Sequence, residues 1–494
     1  MENYFNKFRD NIIGINQTFI NPFKEEKKII YADWAASGRS YKPLEERLCN
    51  DFLPFVANTH TETNTTGLAM TYAYHKAREI IKSHVNAGEN EVLISAGSGM
   101  TGVVNKFQRI LGMKIHEKFR NRIKIPEEKR PVVFITHMEH HSNQTSWLET
   151  IADVEIIMPD KDGLVNYQHF EELLEKHKNR QTKIAAVSAA SNVTGIENNY
   201  YKLAKMIHRA GGYCFVDFAY SAPYVKIDMH PADPEEYLDA IYFSPHKFLG
   251  GPGSSGILLF NQELYRNTIP DNPGGGTVDW TNPWGGHKYV DSIEAREDGG
   301  TPGFIQTIRV ALTLQLKEEM GVENILQREK EQIDLLWAGL CKVDNLHILA
   351  DNQKERLGVI SFYIDKLHYN AGVKLLNDKF GIQVRGGCSC AGTYGHYLLN
   401  LKREDSKHIT ELINHYDFSE KPGWIRMSIH PTMTNDEISK ITESICELAK
   451  YHPQWAKDYV LEPVNNTIRH KDQKSDNRIK LRMEDLFDKD FSGF

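Results

Sequence analysis

Between residues 91 and 260 short apolar runs alternate with stretches of helical period, and no other feature constrains the fold of this chain as tightly. "EVLIS", "PVVFIT", "VEIIM", "KIAAVSA", "YCFVDF" and "LDAIYF" read as strands. The helical stretches are residues 67–87, the run after "AGSGMTG" to about residue 120, "FEELLEKHK", and "YYKLAKMIHRAGG" with its terminal glycines. Strands that are apolar throughout are buried on both faces, so helices must cover both. The expected class is therefore α/β, with a mostly parallel, doubly wound sheet whose ligands bind beyond the carboxyl ends of the strands.

A long helical stretch follows "GGTP" to about residue 340, and then the pattern changes. "LGVISFYI", "FGIQVR" and "WIRMSI" are strand-like, with helices at about 369–380 and 434–451. This divides the chain into an N-terminal segment (1–30) packing near the small domain, a large domain (31–324) and a smaller α+β domain (325–452). Residues 453–494 read as a charged, mobile tail with one short helix.

A formal net charge of -7 gives no electrostatic footprint for nucleic acid or an anionic membrane. No apolar run has the length of a membrane-spanning helix, and the acidic N-terminus lacks a secretory apolar core, so a cytoplasmic protein is expected. Six cysteines in so long a chain do not make a disulfide framework. Cys49, Cys214, Cys341 and Cys446 read as small hydrophobes, whereas Cys388 and Cys390 form a spaced pair.

Four segments fall where loops leave the sheet. "SAGSGMTG" (95–102) joins a strand to a helix, and its glycines let helix N–H groups face an anion. "HMEHHSNQTSW" (137–147) carries His140 and His141, which as sequence neighbours point apart, so they do not share a metal. "VDFAY" (216–220) ends a strand with Asp217, a buried carboxylate that requires a cation or a donor, and places Tyr220 three residues on. "YFSPHKFLGG" puts Lys247 at a strand end beside Ser244 and His246. Together these suit pyridoxal 5'-phosphate: a lysine for the aldehyde, a carboxylate for the pyridinium nitrogen, an imidazole for the ring face, and hydroxyl, imidazole and helix N–H groups for the phosphate.

The order "YADWAASGR", "EHHSN", "SNVTG", "VDFAY", "FSPHK", "GGTP" and "RGGCSCAG" resembles the class V aminotransferase family of pyridoxal-phosphate enzymes, within it the cysteine desulfurase and selenocysteine lyase group. The resemblance covers residues 30 to about 450 and implies fold type I architecture and a homodimer with shared active sites. It makes Lys247 the Schiff-base lysine, Asp217 the partner of the ring nitrogen and His140 the stacking histidine. Thr101, Ser244 and His246 then bind phosphate, with Thr301 of "GGTP" reaching it from the second subunit. Asn192 contacts cofactor or substrate, Arg426 takes the substrate carboxylate, and Cys390 stands where a desulfurase keeps its nucleophile, five residues after Arg385.

The chain departs from that group at three places. Tyr220 stands where glutamine is usual, though its hydroxyl can donate to the same phenolic oxygen, and Cys388 stands where histidine is usual. The segment between Cys390 and Arg426 is long and is expected to form a lid or a partner surface, with Tyr394 and His396 near the site. Two reactions stay open: desulfuration of L-cysteine (or selenocysteine cleavage) with sulfur passed to Cys390 and on to an acceptor protein, or transamination, epimerisation or elimination on an amino acid with Cys390 dispensable. Arg385 favours the thiolate that the first requires. A metal site built from "CSC" and His396 lacks the ligand spacing of structural zinc, whereas the cysteine pair could still form a disulfide or relay a persulfide. Residues 274–291, rich in glycine, are expected to form an interface loop near the partner's site.

Overall fold

The computed structural model describes residues 1–59, 61–120, 122–471 and 477–489. Its central sheet has seven strands: β1 (Glu91–Ala96), β2 (Val132–Thr136), β3 (Asp153–Ile157), β4 (Lys183–Ser188), β5 (Tyr213–Asp217), β6 (Ala240–Phe243) and β7 (Gly256–Asn261). Their spatial order is β1-β7-β6-β5-β4-β2-β3, with β7 antiparallel to both neighbours and the other pairings parallel. The strands are apolar on both faces because apolar layers cover both. Phe107, Phe215, Trp147 and Phe260 pack on one side, and Phe134, Phe170, Leu203 and Ile207 on the other. This is the mostly parallel α/β sheet that the alternation implied. The antiparallel β7, inside the glycine-rich stretch after Lys247, is an addition.

Two helical expectations change at glycines. The run after "AGSGMTG" stops as α1 (Met100–Ile110), because Gly112 takes a positive φ of 68° and the N–H of Met113 turns back to the Gln108 carbonyl. The long stretch after "GGTP" is two helices, α3 (Phe304–Met320) and α4 (Val322–Leu340), broken at Gly321 with φ 76°. Helix α2 (His141–Leu148) follows β2.

A second, antiparallel sheet has the order β8-β9-β11-β10, formed by β8 (Leu346–Ile348), β9 (Val359–Ile364), β10 (Arg385–Gly387) and β11 (Trp424–Ser428). The N-terminal segment fastens to this part of the chain. Ile30–Tyr31 pairs in parallel with Ile382–Gln383, and Arg9 donates to both carboxylate oxygens of Glu437. Glu437 lies at the start of α7 (Asn435–Trp455), capped by Thr434 in a reciprocal capping box. Between β10 and β11 lie α5 (Gly392–Leu398) and α6 (Arg403–Asn414), the latter without a buried residue. Residues 278–289 form a hairpin that exposes Trp280 and Trp284, and Tyr459–Glu462 pairs with Thr467–His470. Residues 472–476 and 490–494 of the charged tail lie outside the described residues.

Candidate active site

Strands β4, β5 and β6 end at Ser188, Asp217 and Phe243, and α1 and α2 begin beside those ends. Parallel strands make these ends coincide, so residues far apart in sequence meet at one edge of the sheet. The small sheet closes over that edge, leaving a cavity of about 240 Å³. Lys247, Asp217, Tyr220, His140, Thr101, Ser244, His246, Asn192, Arg385, Arg426 and Cys390 all line it. Thr301 is exposed and outside its own chain's cavity, and Cys388 packs against the apolar core outside the lining.

Lys247 ends a short 3₁₀ turn, Pro245–Lys247, straight after β6. The turn is laced to the N-terminal segment: Gly38 N–H donates to the His246 carbonyl at 2.9 Å and Gly250 N–H to the Arg39 carbonyl at 2.7 Å. A Cβ at Gly38 would stand 1.9 Å from the Phe248 carbonyl oxygen, so only glycine permits that approach. Protein surrounds Lys247 except where it opens on the cavity, and that desolvation pulls its ammonium well below the usual lysine range, against the attraction of Asp217. The neutral amine is thereby made available. Asp217 is 5% exposed, and burial pushes its carboxyl up, with Ala219 N–H donating to Oδ1 at 2.7 Å in opposition.

His140 caps α2, its Nδ1 accepting from Ser142 N–H at 3.1 Å. Burial first, then Lys247, holds it down to about 3, so its ring is a neutral, flat surface. At the start of α1, Met100 N–H donates to Ser244 Oγ at 2.9 Å, His246 Nδ1 donates to the Ser98 carbonyl at 2.9 Å, and Thr101 Oγ1 pairs with Ser142 Oγ at 2.7 Å. A Cβ on Gly99 would meet His246 Cε1 at 2.9 Å and Ser244 Oγ at 3.2 Å, which leaves a cradle of small groups facing a helix N-terminus. The Tyr220 hydroxyl and Arg426 Nε are buried without a hydrogen-bond partner, and both residues line the cavity. Unpaired buried donors are costly unless a ligand takes them.

Arg385 and Arg426 are direct cross-strand partners on β10 and β11, a like-charge pairing that destabilises a sheet unless an anion intervenes. Asp33 intervenes. Its Oδ1 accepts from Arg426 Nη2 at 2.9 Å and its Oδ2 from Arg385 Nε at 3.1 Å. Arg426 is 3% exposed, so Asp33→Asn is expected to lower the unfolding free energy by about 3 kcal/mol, the cost of removing one partner of a buried ion pair. An unchanged denaturant midpoint would show that the bridge contributes nothing.

Three participants escaped the sequence reading. Asp33 stands within the quoted "YADWAASGR", but its arginines lie more than 350 positions away and no local signal joins them. Ser142 stands within the quoted "HMEHHSNQTSW", but no local signal joins it to Thr101 across the cavity. Glu139 is fully buried and accepts from Thr136 Oγ1 at 2.6 Å, Asn143 Nδ2 at 2.8 Å and Ser188 Oγ at 2.5 Å, which ties the ends of β2 and β4 to α2. His396, read as a metal candidate, spends both ring nitrogens on the Gly392 carbonyl and Ser406 Oγ. Among the described residues no three His, Cys, Asp or Glu side chains are placed to hold a metal, and no helix is long and apolar enough to cross a membrane.

The fold and the cleft define the class. Residues 30–441 match the aminotransferase class-V family, and the chain belongs to it. A Staphylococcus epidermidis protein named "Probable cysteine desulfurase" is 29% identical over 369 residues, 74% of this chain and 84% of that protein. A Halalkalibacterium halodurans protein of the same name is 28% identical, again covering 74% and 84%. In solved structures, the apo cysteine desulfurase of Thermococcus onnurineus NA1 superposes with a TM-score of 0.70 at 22% identity, over 90% of this chain and 98% of that one. The Escherichia coli cysteine desulfurase CsdA gives 0.69 at 20% identity, over 90% and 98%.

Proposed function

We propose that the chain is a pyridoxal 5'-phosphate-dependent cysteine desulfurase that converts L-cysteine to L-alanine and keeps the sulfur on Cys390 as a persulfide. The observation that carries this reading is that Cys390 lines the same cavity as Lys247, Asp217 and Arg426. The cavity fits the cofactor by its own chemistry: a helix N-terminus with Ser244, His246 and Thr101 for phosphate, a buried carboxylate in Asp217, a neutral imidazole in His140 and an unpaired hydroxyl in Tyr220. When bound, pyridoxal phosphate supplies an electron sink for the carbanion at the substrate Cα.

The chain's own residues do the rest. Arg426, with Nε unpaired, and Asn192 orient the substrate carboxylate. Lys247 Nζ, its neutral form favoured by burial, takes the Cα proton. The Cys390 thiolate attacks the substrate sulfur. The new S–S bond forms as the C–S bond breaks, its electron pair goes to the substrate Cβ, which takes up a proton, and Lys247 returns its proton to Cα to complete alanine. Cys390 then carries one sulfane sulfur for an acceptor protein or thiol.

The exposed position of Thr301 supports a homodimer in which it reaches the partner's cavity. All six cysteines are free, which supports a reducing, cytoplasmic setting. The purified holoenzyme given L-cysteine without a reductant is expected to release one alanine per chain and gain one sulfur on Cys390 by peptide mass spectrometry. No alanine, with spectral change on adding other amino acids, would reassign the enzyme to transamination or elimination.

A further inference from the structure

The sequence neighbours His140 and His141 diverge, their ring centroids 6.3 Å apart and inclined at 48°. His140 faces the cavity, whereas His141 turns to the segment that bears Cys390. His141 N–H donates to the Cys390 carbonyl at 2.7 Å, and His141 Nε2 accepts from Gly392 N–H at 2.9 Å. The residues so held are unusual: Ser389 and Cys390 have positive φ values of 51° and 57°, two consecutive side-chain-bearing residues in the left-handed region. Such a conformation persists only where its surroundings over-determine it. Asn192 Nδ2 holds the Ser389 carbonyl at 2.8 Å on the near side, and His141 holds the two positions around Ala391 on the far side.

We propose that His141 is a positioning residue for the nucleophile: its imidazole pins Gly392 and so keeps the Cys390 thiol over the cavity, from the same helix start that presents His140. The inference rests on the reading of Cys390 as the sulfur acceptor. The first turn of α2 thereby sets ring face and nucleophile relative to each other with one rigid element. An acceptor nitrogen requires the neutral imidazole with its proton on Nδ1. Burial, with Lys421 adding to it, shifts His141 below the ordinary histidine range and so favours that form.

The test compares His141→Ala with His141→Gln, whose side-chain oxygen can still accept from Gly392 N–H. In His141→Ala the backbone amides of the peptide around Gly392 are expected to exchange with deuterium at least about 10-fold faster, since their hydrogen bond holds a strained loop. Single-turnover persulfide formation is expected to fall about 10²-fold, the scale of a small misplacement of a reacting atom, with KM and the absorbance of bound cofactor unchanged. His141→Gln should recover most of both losses. Wild-type exchange and wild-type persulfide formation in His141→Ala would overturn the proposal, as would equal losses in the two variants. If the wild-type enzyme forms no persulfide the desulfuration reading fails, and the exchange rates still decide whether His141 holds the loop.

Discussion

Lys247→Ala is expected to abolish turnover while leaving a folded chain. Borohydride treatment of the loaded wild-type protein should fix one cofactor per chain at Lys247, and the variant should gain no such mass. The rate should drop by at least about 10³-fold, because on the proposed reading the substitution removes both the covalent anchor and a positioned proton acceptor. Stability is not the cause. Lys247 ends a turn whose backbone is held by Gly38 and Gly250, and those contacts do not involve its side chain. The carboxyl left behind, Asp217, keeps its Ala219 N–H and takes up a proton instead of remaining an unpaired buried anion. Because burial raises the Asp217 carboxyl in the folded state, the folded chain binds that proton more tightly than the unfolded chain does. The stability this group contributes is therefore present at low pH and lost as the pH rises through its folded range. Without Lys247 the apo variant should lose stability with rising pH more steeply than wild type. Covalent cofactor at another lysine, or retained turnover, would remove Lys247 from its assigned role.

Cys390→Ala is expected to eliminate alanine formation from L-cysteine while the bound cofactor and its spectrum stay as in wild type. The side chain is exposed on the cavity rather than packed in the core, and alanine pays the same left-handed backbone cost as cysteine, so the loop should keep its shape. What disappears is the thiolate proposed to receive the sulfur. Cys388→Ala should retain the activity, since Cys388 packs against the apolar core and lies outside the cavity lining. Alanine release that survives in Cys390→Ala, or is lost only in Cys388→Ala, would assign the sulfur transfer to another group.

The two cysteines show where local reading succeeds and where it stops. Their spacing marks the loop, but facing directions two residues apart depend on the backbone conformation of Ser389 between them, and a positive φ at a serine carries no sequence signature. The alternation of apolar runs places Asp217, Ser244 and Lys247 at strand ends, and parallel strands must bring their carboxyl ends to one edge. Glycines were legible as turns. The glycines after "MIHRA" were legible as a helix end too, but Gly112 and Gly321 were not, because they stop their helices through φ values that the tertiary fold selects.

By itself, the sequence determined the α/β layering, the strand ends that carry the site and the chemical kind of the groups there, because these follow from local periodicity and residue type. The tertiary structure decided what long-range packing alone can set. Asp33 meets Arg385 and Arg426 across more than 350 residues, the Gly38 loop braces the Lys247 turn, and His141 reaches over to hold Gly392. Each of those contacts joins segments whose separation in sequence erases any periodic signal, and the first and the last come within hydrogen-bond distance only as the small sheet closes over the large one.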